Sequence, residues 1–441
     1  MSTSGFTHDF SDILIVSALT KYQNYLKKEI KNLMKRQLSD VEKKEYSYLI
    51  GVLSSAVNDT PAPIPYEGIN WNRLFDRSKV CGLNAAFANT VLTLPKEYLP
   101  NDDVIKILKE NINTELLIDI NHNYEIEKVL SALDKQKIKN VPLKGYFMKT
   151  EYPRSDYRSI SDFDILFNRN QIDLVKQVFS ELGYNFLHND DNQYHFQKKP
   201  YVYIEMHATL VHEWESYYPY LVDIIDNSKK RDGYEFSYEL SFEDHYLYML
   251  VHNSNHLRLG GLSVRMLLDT YVYYRNHKED FNFDYLDKKL RLFKLEIFEK
   301  RIREIAFKWF SPDKSIVSFD DLETFILLSA RLGRVDAGVM ISSHKMIKSA
   351  EKQGKRKSKF SYFLKSLFPN KKSMSVNYPY LNSLPFLLPV SWIQMWFRRF
   401  FIDKNVNVKK GLKNRFSYTD DDVKYYKGLL DETGFDDFNF E

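Results

Sequence analysis

Apolar positions recur every three to four residues through much of the first third of the chain. Ile13, Ile15, Val16, Leu19, Tyr22 and Leu26 line one helix, and the pattern extends over residues 10–57. Ser39-Asp40-Val41-Glu42 reads as a helix start, because a short oxygen-bearing side chain there can cap free backbone N–H groups. Pro61, Pro63 and Pro65 interrupt the pattern, and residues 71–138 resume it with turns near Pro95 and Pro100. Its last piece, residues 125–135, is expected to lead straight into a strand at Val141. The middle third changes period. Residues 171–182 read as a helix closed by Gly183, whereas 184–187, 194–198 and 202–210 alternate or run apolar as strands do. Asn189-Asp190-Asp191-Asn192 reads as a turn between strands. Helical spacing returns at 245–257, 262–276, 284–310 and 322–332.

This order predicts an α+β fold, a small mixed sheet with helices, flanked by N- and C-terminal helical lobes. The expected divisions are an N-terminal helical lobe (1–124), a core (125–226) and a helical lobe completing a cleft (240–340). Residues 341–441 are expected to form a basic connection and C-terminal aromatic and basic helices. Within them, 345–372 is rich in Lys and Arg and reads as exposed.

Candidate chemistry concentrates around the first strand. The chain there reads Val141-Pro-Leu-Lys144-Gly145 and, after a polar excursion, Arg158-Ser-Ile-Ser-Asp162-Phe-Asp164. Strand side chains alternate between faces, so Asp162 and Asp164 share one while Phe163 and Ile165 enter a core. Two carboxylates at that spacing can hold a hard divalent cation, Mg²⁺ or Mn²⁺, which takes oxygen ligands beside substrate phosphates. Gly145 at a helix start lets backbone N–H groups approach a phosphate. Glu205 and His207 share one face of the strand Val202-Tyr-Ile-Glu-Met-His207. A carboxylate among apolar neighbours needs a partner, either a structural Arg or a shared cation.

Taken together, Leu143-Lys144-Gly145, Arg158, Asp162-x-Asp164 and Glu205-x-His207 resemble the bacterial nucleotidyltransferase-like proteins of the polymerase-β superfamily. The resemblance covers roughly residues 71–303. It departs from the superfamily pattern where Tyr146 replaces the usual Ser after the Gly, and in a longer gap between Gly145 and Asp162. It implies a polymerase-β-like nucleotidyltransferase core and Mg²⁺- or Mn²⁺-dependent transfer of an NMP from an NTP. The acceptor would be a hydroxyl on a small molecule, glycan or peptide. Asp162, Asp164 and Glu205 would hold one or two metal ions, with Glu205 either a ligand or the base. Lys144, Gly145, Arg158 and His207 would meet the nucleotide. Lys144 and Arg158 have structural salt bridges as their alternative, and His207 a core position. His252, His256, Arg265 and Asp269 would flank the cleft, either touching nucleotide or fastening the helical lobe to the core. The competing expectation is a catalytically inactive descendant that binds nucleotide or a protein partner, for which Tyr146 speaks.

Composition narrows the remaining classes. The 441 residues are 44% hydrophobic, enough for a sizeable core. A net charge of +4 is too mild to mark a nucleic-acid binder. The single Cys81 leaves no intrachain disulfide and no multi-Cys zinc site. No basic start followed by an apolar run marks a secretory leader. No run of about eighteen uncharged apolar residues marks a membrane span, so a cytoplasmic protein is expected. His252 and His256 lie on one helix face, but Asn253 stands where a zinc protease helix carries Glu. Lys144 and Asp162-Phe-Asp164 echo a kinase, yet no His-Arg-Asp loop lies between them, and a Walker-type loop is absent. Residues 391–401 place Trp392, Trp396, Phe397, Phe400 and Phe401 beside Arg398 and Arg399. They read as a final helix packed on the body. The alternative is weak contact with an anionic membrane surface, as in a peripheral scaffold.

Overall fold

The computed structural model describes residues 37–312 except 191, 201, 214, 223 and 260, together with 318–329, 368–375, 378–397 and 420–435. The helix expected from Ile13 to Leu26 and most of the basic connection over 345–372 lie outside these residues.

Helix α1 (Asp40–Asn58) opens on the expected cap. Ser39 Oγ accepts from Glu42 N–H at 3.3 Å, and the Glu42 carboxylate accepts from Ser39 N–H at 3.1 Å. Helix α2 (Trp71–Cys81) begins under the Asn70 side chain and stops at Gly82 in left-handed backbone. Helix α3 (Asn84–Val91) precedes α4 (Asp102–Lys135), which runs unbroken through Glu125. Then come β1 (Asn140–Pro142), α5 (Lys144–Thr150), β2 (Phe163–Phe167), α6 (Ile172–Glu181), β3 (Asn185–Asn189), β4 (Gln193–Lys198) and β5 (Val202–His207).

The strands lie in the order β1-β2-β5-β4-β3, with β2 parallel to β5 and the other neighbours antiparallel. Pro142 has no N–H to give and sits on the edge strand β1, where that loss is tolerated. Alternation divides the sheet into two faces. Phe163, Ile165, Phe167, Phe196, Ile204 and Met206 form one core with Ile126 and Val129 of α4 and Val178 and Phe179 of α6. Burying side chains of this size stabilises by roughly 1.5–3 kcal/mol each. That burial fixes the register, because a slip of one residue would turn Asp164, Glu205 and His207 into the same core.

Helices α7 (Phe242–Leu259), α8 (Val264–His277), α9 (Phe283–Phe293), α10 (Glu296–Phe310) and α11 (Asp321–Leu327) follow. They share one apolar core with the N-terminal helices, including Leu53, Phe87, Leu250, Leu268 and Ile302. Leu143, Met148 and Leu166 belong to it too, so this helical body meets the sheet around β1 and β2. The single helix expected over 284–310 is two. Lys294 takes φ 53, and Leu295 N–H returns to Leu290 O, which turns the chain between α9 and α10.

Between α7 and α8, Gly261 has φ +125. A Cβ there would lie 2.6 Å from Ser329 Oγ and 3.0 Å from Phe325 Cε1. Gly261→Ala adds a clash to strained backbone and is expected to lower stability by about 2 kcal/mol. The check is a lower urea midpoint with an unchanged slope.

Helices α12 (Leu388–Phe397) and α13 (Asp420–Glu432) end the described chain. Trp392 and Trp396 pack on a small cluster of Met374, Leu381 and Met395, and Trp392 Nε1–H donates to Pro369 O. Arg398, Arg399, Phe400 and Phe401 lie outside the described residues. Among the described residues, no helix is long and apolar enough to cross a membrane.

Candidate active site

Asp164 leaves β2 on the face turned away from α4 and α6. Glu205 is its direct partner across the parallel β2–β5 pair. His207, two residues on, shares that face. Its Nε2 lies 2.8 Å from Asp164 Oδ1 and 3.7 Å from Glu205 Oε2. One ligand atom from each of Asp164, Glu205 and His207 falls within 4.8 Å of the others.

Lys144 opens α5 directly after β1. Its Nζ stands 3.4 Å from Asp164 Oδ2 and 3.3 Å from His252 Nδ1. Burial pushes Asp164 up, but Lys144 and His207 outweigh it and hold the carboxyl well below its ordinary value. Burial also works against the Lys144 ammonium. Asp164, then Tyr248 and Asp162, overcome this and hold its pKa above the usual lysine value. Glu205 moves the other way. Burial, then Asp162 and Asp164, push its carboxyl up against the pull of His207 and His195. The repulsion that Asp162 and Asp164 exert on Glu205 is one that a bound cation relieves. His207 Nδ1 is buried without a hydrogen-bond partner. Two carboxylates and an imidazole at this spacing therefore fit a divalent cation.

The structure gathers the sequence candidates selectively. Regular strand geometry starts only at Phe163, so Asp162 lies just before β2, half-buried, with Oδ1 2.5 Å from Ser161 Oγ. Among the described residues, ligand atoms of Asp164, Glu205 and His207 come together, and Asp162 acts on Glu205 through its charge. Gly145 is buried in the first turn of α5. A Cβ there would stand 3.4 Å from Asp162 O, an ordinary contact, so packing alone does not demand glycine. Tyr146 turns elsewhere, donating to Glu127 Oε1 at 2.6 Å and accepting from Arg231 Nη2 at 3.0 Å.

Arg158 makes the structural salt bridge that was its alternative reading. It offers no open guanidinium to a nucleotide. It is buried, with Nε and Nη2 on the two oxygens of Asp269 at 2.8 and 2.9 Å. Tyr152 Oη also donates to Asp269 at 2.8 Å. Asp269 belongs to α8, so the pair fastens the helical body to the loop before β2. Arg265 adds to this by donating to Ser159 O at 3.0 Å. His252 and His256 lie with ring centroids 4.4 Å apart. Burial and then Lys144 hold both below the ordinary histidine range, His256 at about 4. Neutral His252 can accept a hydrogen bond from Lys144.

Two residues at the site were not among the sequence candidates. His195 on β4 pairs opposite Glu205, with Nδ1 3.3 Å from Glu205 Oε1. Tyr248 on α7 presents its ring centroid 5.9 Å from Lys144 Nζ, and burial pushes its hydroxyl up to about 12. The alternation of β4 carried a signal for the face His195 takes, but the strand pairing that aims it at Glu205 is a tertiary fact.

A family model described as an uncharacterised nucleotidyltransferase matches residues 67–311. No curated protein matches the sequence. Among solved structures, the chain is similar to the solution structure of the antibiotic-resistance factor ANT(2'')-Ia. The identity is 12% and the TM-score 0.31, covering 39% of this chain and 92% of that chain.

Proposed function

The chain belongs to the family of uncharacterised nucleotidyltransferases, and from that premise we propose that it moves an NMP from an NTP to a hydroxyl acceptor, releasing pyrophosphate. The acceptor class is a small molecule, a glycan or a peptide. The observation that supports this reading most is the meeting of Asp164 and Glu205 from adjacent parallel strands, with His207, in one cluster. The oxygens of Asp164 and Glu205 would hold a divalent cation, Mg²⁺ or Mn²⁺, with His207 against Asp164 and Asp162 adding negative charge beside them. When bound, such an ion supplies charge stabilisation at the reacting phosphate oxygens. Lys144 brings a point charge that can exchange its Asp164 partner for a phosphate oxygen. Glu205, raised by burial, Asp162 and Asp164, either completes the ligand set or takes the proton from the attacking hydroxyl. The chain contributes mainly positioning and charge neutralisation, as in phosphoryl transfer generally.

Lys144→Met is expected to weaken NTP affinity roughly 10–100-fold, in keeping with the loss of one charged hydrogen bond. Titration with a fluorescent NTP checks it. Unchanged affinity would remove Lys144 from the phosphate.

A second reading has one observation of its own. Tyr146 stands where the resembling superfamily carries Ser, and its hydroxyl is committed to Glu127 and Arg231. A non-catalytic descendant would bind NTP with metal at the same cluster and release nothing. Incubating the full chain with α-labelled NTPs, Mg²⁺ and pooled hydroxyl-bearing small molecules, glycans and peptides separates the two. Label transfer with matching pyrophosphate release supports transfer, whereas metal-dependent binding without release supports the descendant.

A further inference from the structure

On the β4 side of the sheet, a second group of metal-ligating side chains stands beside the first. Strands β3 and β4 pair Phe186 with Phe196 but His188 with His195, so one extra residue, Leu187, bulges from β3. In an unbroken register Leu187 would stand opposite His195. The bulge puts His188 there instead, and bulges of this kind commonly re-aim a side chain beside a functional site. The two imidazoles stack with centroids 4.3 Å apart and planes 13° from parallel. Asp190, just past the end of β3, places Oδ2 3.2 Å from His195 Nε2. Ligand atoms from His188, Asp190 and His195 all lie within 4.8 Å of one another.

We propose that His188, Asp190 and His195 form an outer metal site, separate from the Asp164–Glu205–His207 cluster, that takes a borderline divalent ion of the Zn²⁺ class. Two imidazoles and one carboxylate are the ligand types Zn²⁺ and its first-row neighbours favour, whereas Mg²⁺ is bound by oxygens. His188 and Asp190 are exposed, so an ion has direct access and water can complete its shell. The remaining nitrogen of His195 strengthens the assignment. A metal-bound imidazole characteristically donates its other N–H to a carboxylate. Here Nδ1 lies 3.3 Å from Glu205 Oε1. An ion on Nε2 would leave the ring proton on Nδ1, directed at Glu205, and so join the two clusters through one ring. The metal-binding claim itself stands apart from the proposed transfer reaction.

The test is Zn²⁺ titration of metal-stripped full-length protein in excess Mg²⁺, read by competition with a chromogenic chelator. One Zn²⁺ is expected to bind the wild type under these conditions. His188→Ala and Asp190→Asn should each weaken it at least about 10-fold, the scale seen when a group supporting a bound metal is lost. Asp164→Asn should leave it in place, which separates this site from the inner cluster even if the transfer reading fails. His188 sits on an exposed edge strand, so the alanine variant is expected to fold, and its circular dichroism checks that. Failure of the wild type to hold Zn²⁺ against Mg²⁺ would overturn the proposal. So would equal affinity in wild type and both outer-site variants, or loss of the site in Asp164→Asn alone.

Discussion

Asp164→Ala is expected to destabilise the folded chain by about 3 kcal/mol, near the low end of what breaking a buried ion pair costs. The change removes the anion faced by Lys144 Nζ at 3.4 Å and His207 Nε2 at 2.8 Å. A buried ammonium without its partner is the main penalty. Because 22% of the Lys144 side chain still meets solvent, part of that penalty is relieved. Asp164→Asn keeps the shape and some hydrogen bonding, so its stability should fall less. The proposed metal-dependent transfer should still drop roughly 10²–10³-fold, the scale of losing one preorganised charge-stabilising group. The pH dependence follows from the sign of the shift. Lys144 and His207, acting against burial, hold Asp164 below its unfolded value of about 3.9. Its contribution is therefore present above that value and is lost as pH falls through it toward the folded value. Acid titration monitored by circular dichroism should show a component in the wild type that Asp164→Asn lacks. Equal acid profiles and equal urea midpoints for wild type and Asp164→Ala would show that the carboxylate is not paired as described.

Arg158→Met is expected to cost about 3–5 kcal/mol, because it leaves Asp269 as a buried charge with one donor, the Tyr152 hydroxyl. Asp269→Leu should cost a similar amount by stranding the guanidinium. The double variant Arg158→Met with Asp269→Leu should cost clearly less than the sum, since neither charge then remains buried alone. Arg158→Lys should behave more like a loss than a conservative change, because an ammonium cannot make the two parallel contacts. Urea midpoints of the four proteins measure this cycle. NTP affinity should be unchanged in whatever folds. Additive stability losses, or weakened NTP binding with stability intact, would return Arg158 to the phosphate role that its place in the sequence suggested.

The strand pattern made much of this site legible. Apolar residues at alternate positions of Phe163–Phe167 and Val202–His207 place Asp164, Glu205 and His207 on the opposite face by strand alternation alone. The Ser39 cap was equally readable, because it rests on neighbours in sequence. What escaped depends on partners far along the chain. Arg158 and Asp269 are 111 positions apart, and no local pattern says that one claims the other. His195 acquired its place from the β4–β5 register, and His188 from a bulge that carries no glycine to announce it. The break at Lys294 was hidden for a related reason: a lysine takes a left-handed backbone more often given to Gly or Asn. Asp162 stands one step before the regular strand, which begins at Phe163.

Crystals of the full chain soaked with Mn²⁺ and a non-hydrolysable NTP give the most direct measurement. The expected result is an anomalous peak between Asp164 and Glu205, touching the triphosphate, with Lys144 Nζ moved onto a phosphate oxygen. A triphosphate bound elsewhere, or no peak while Lys144 and His207 keep their hold on Asp164, would contradict it.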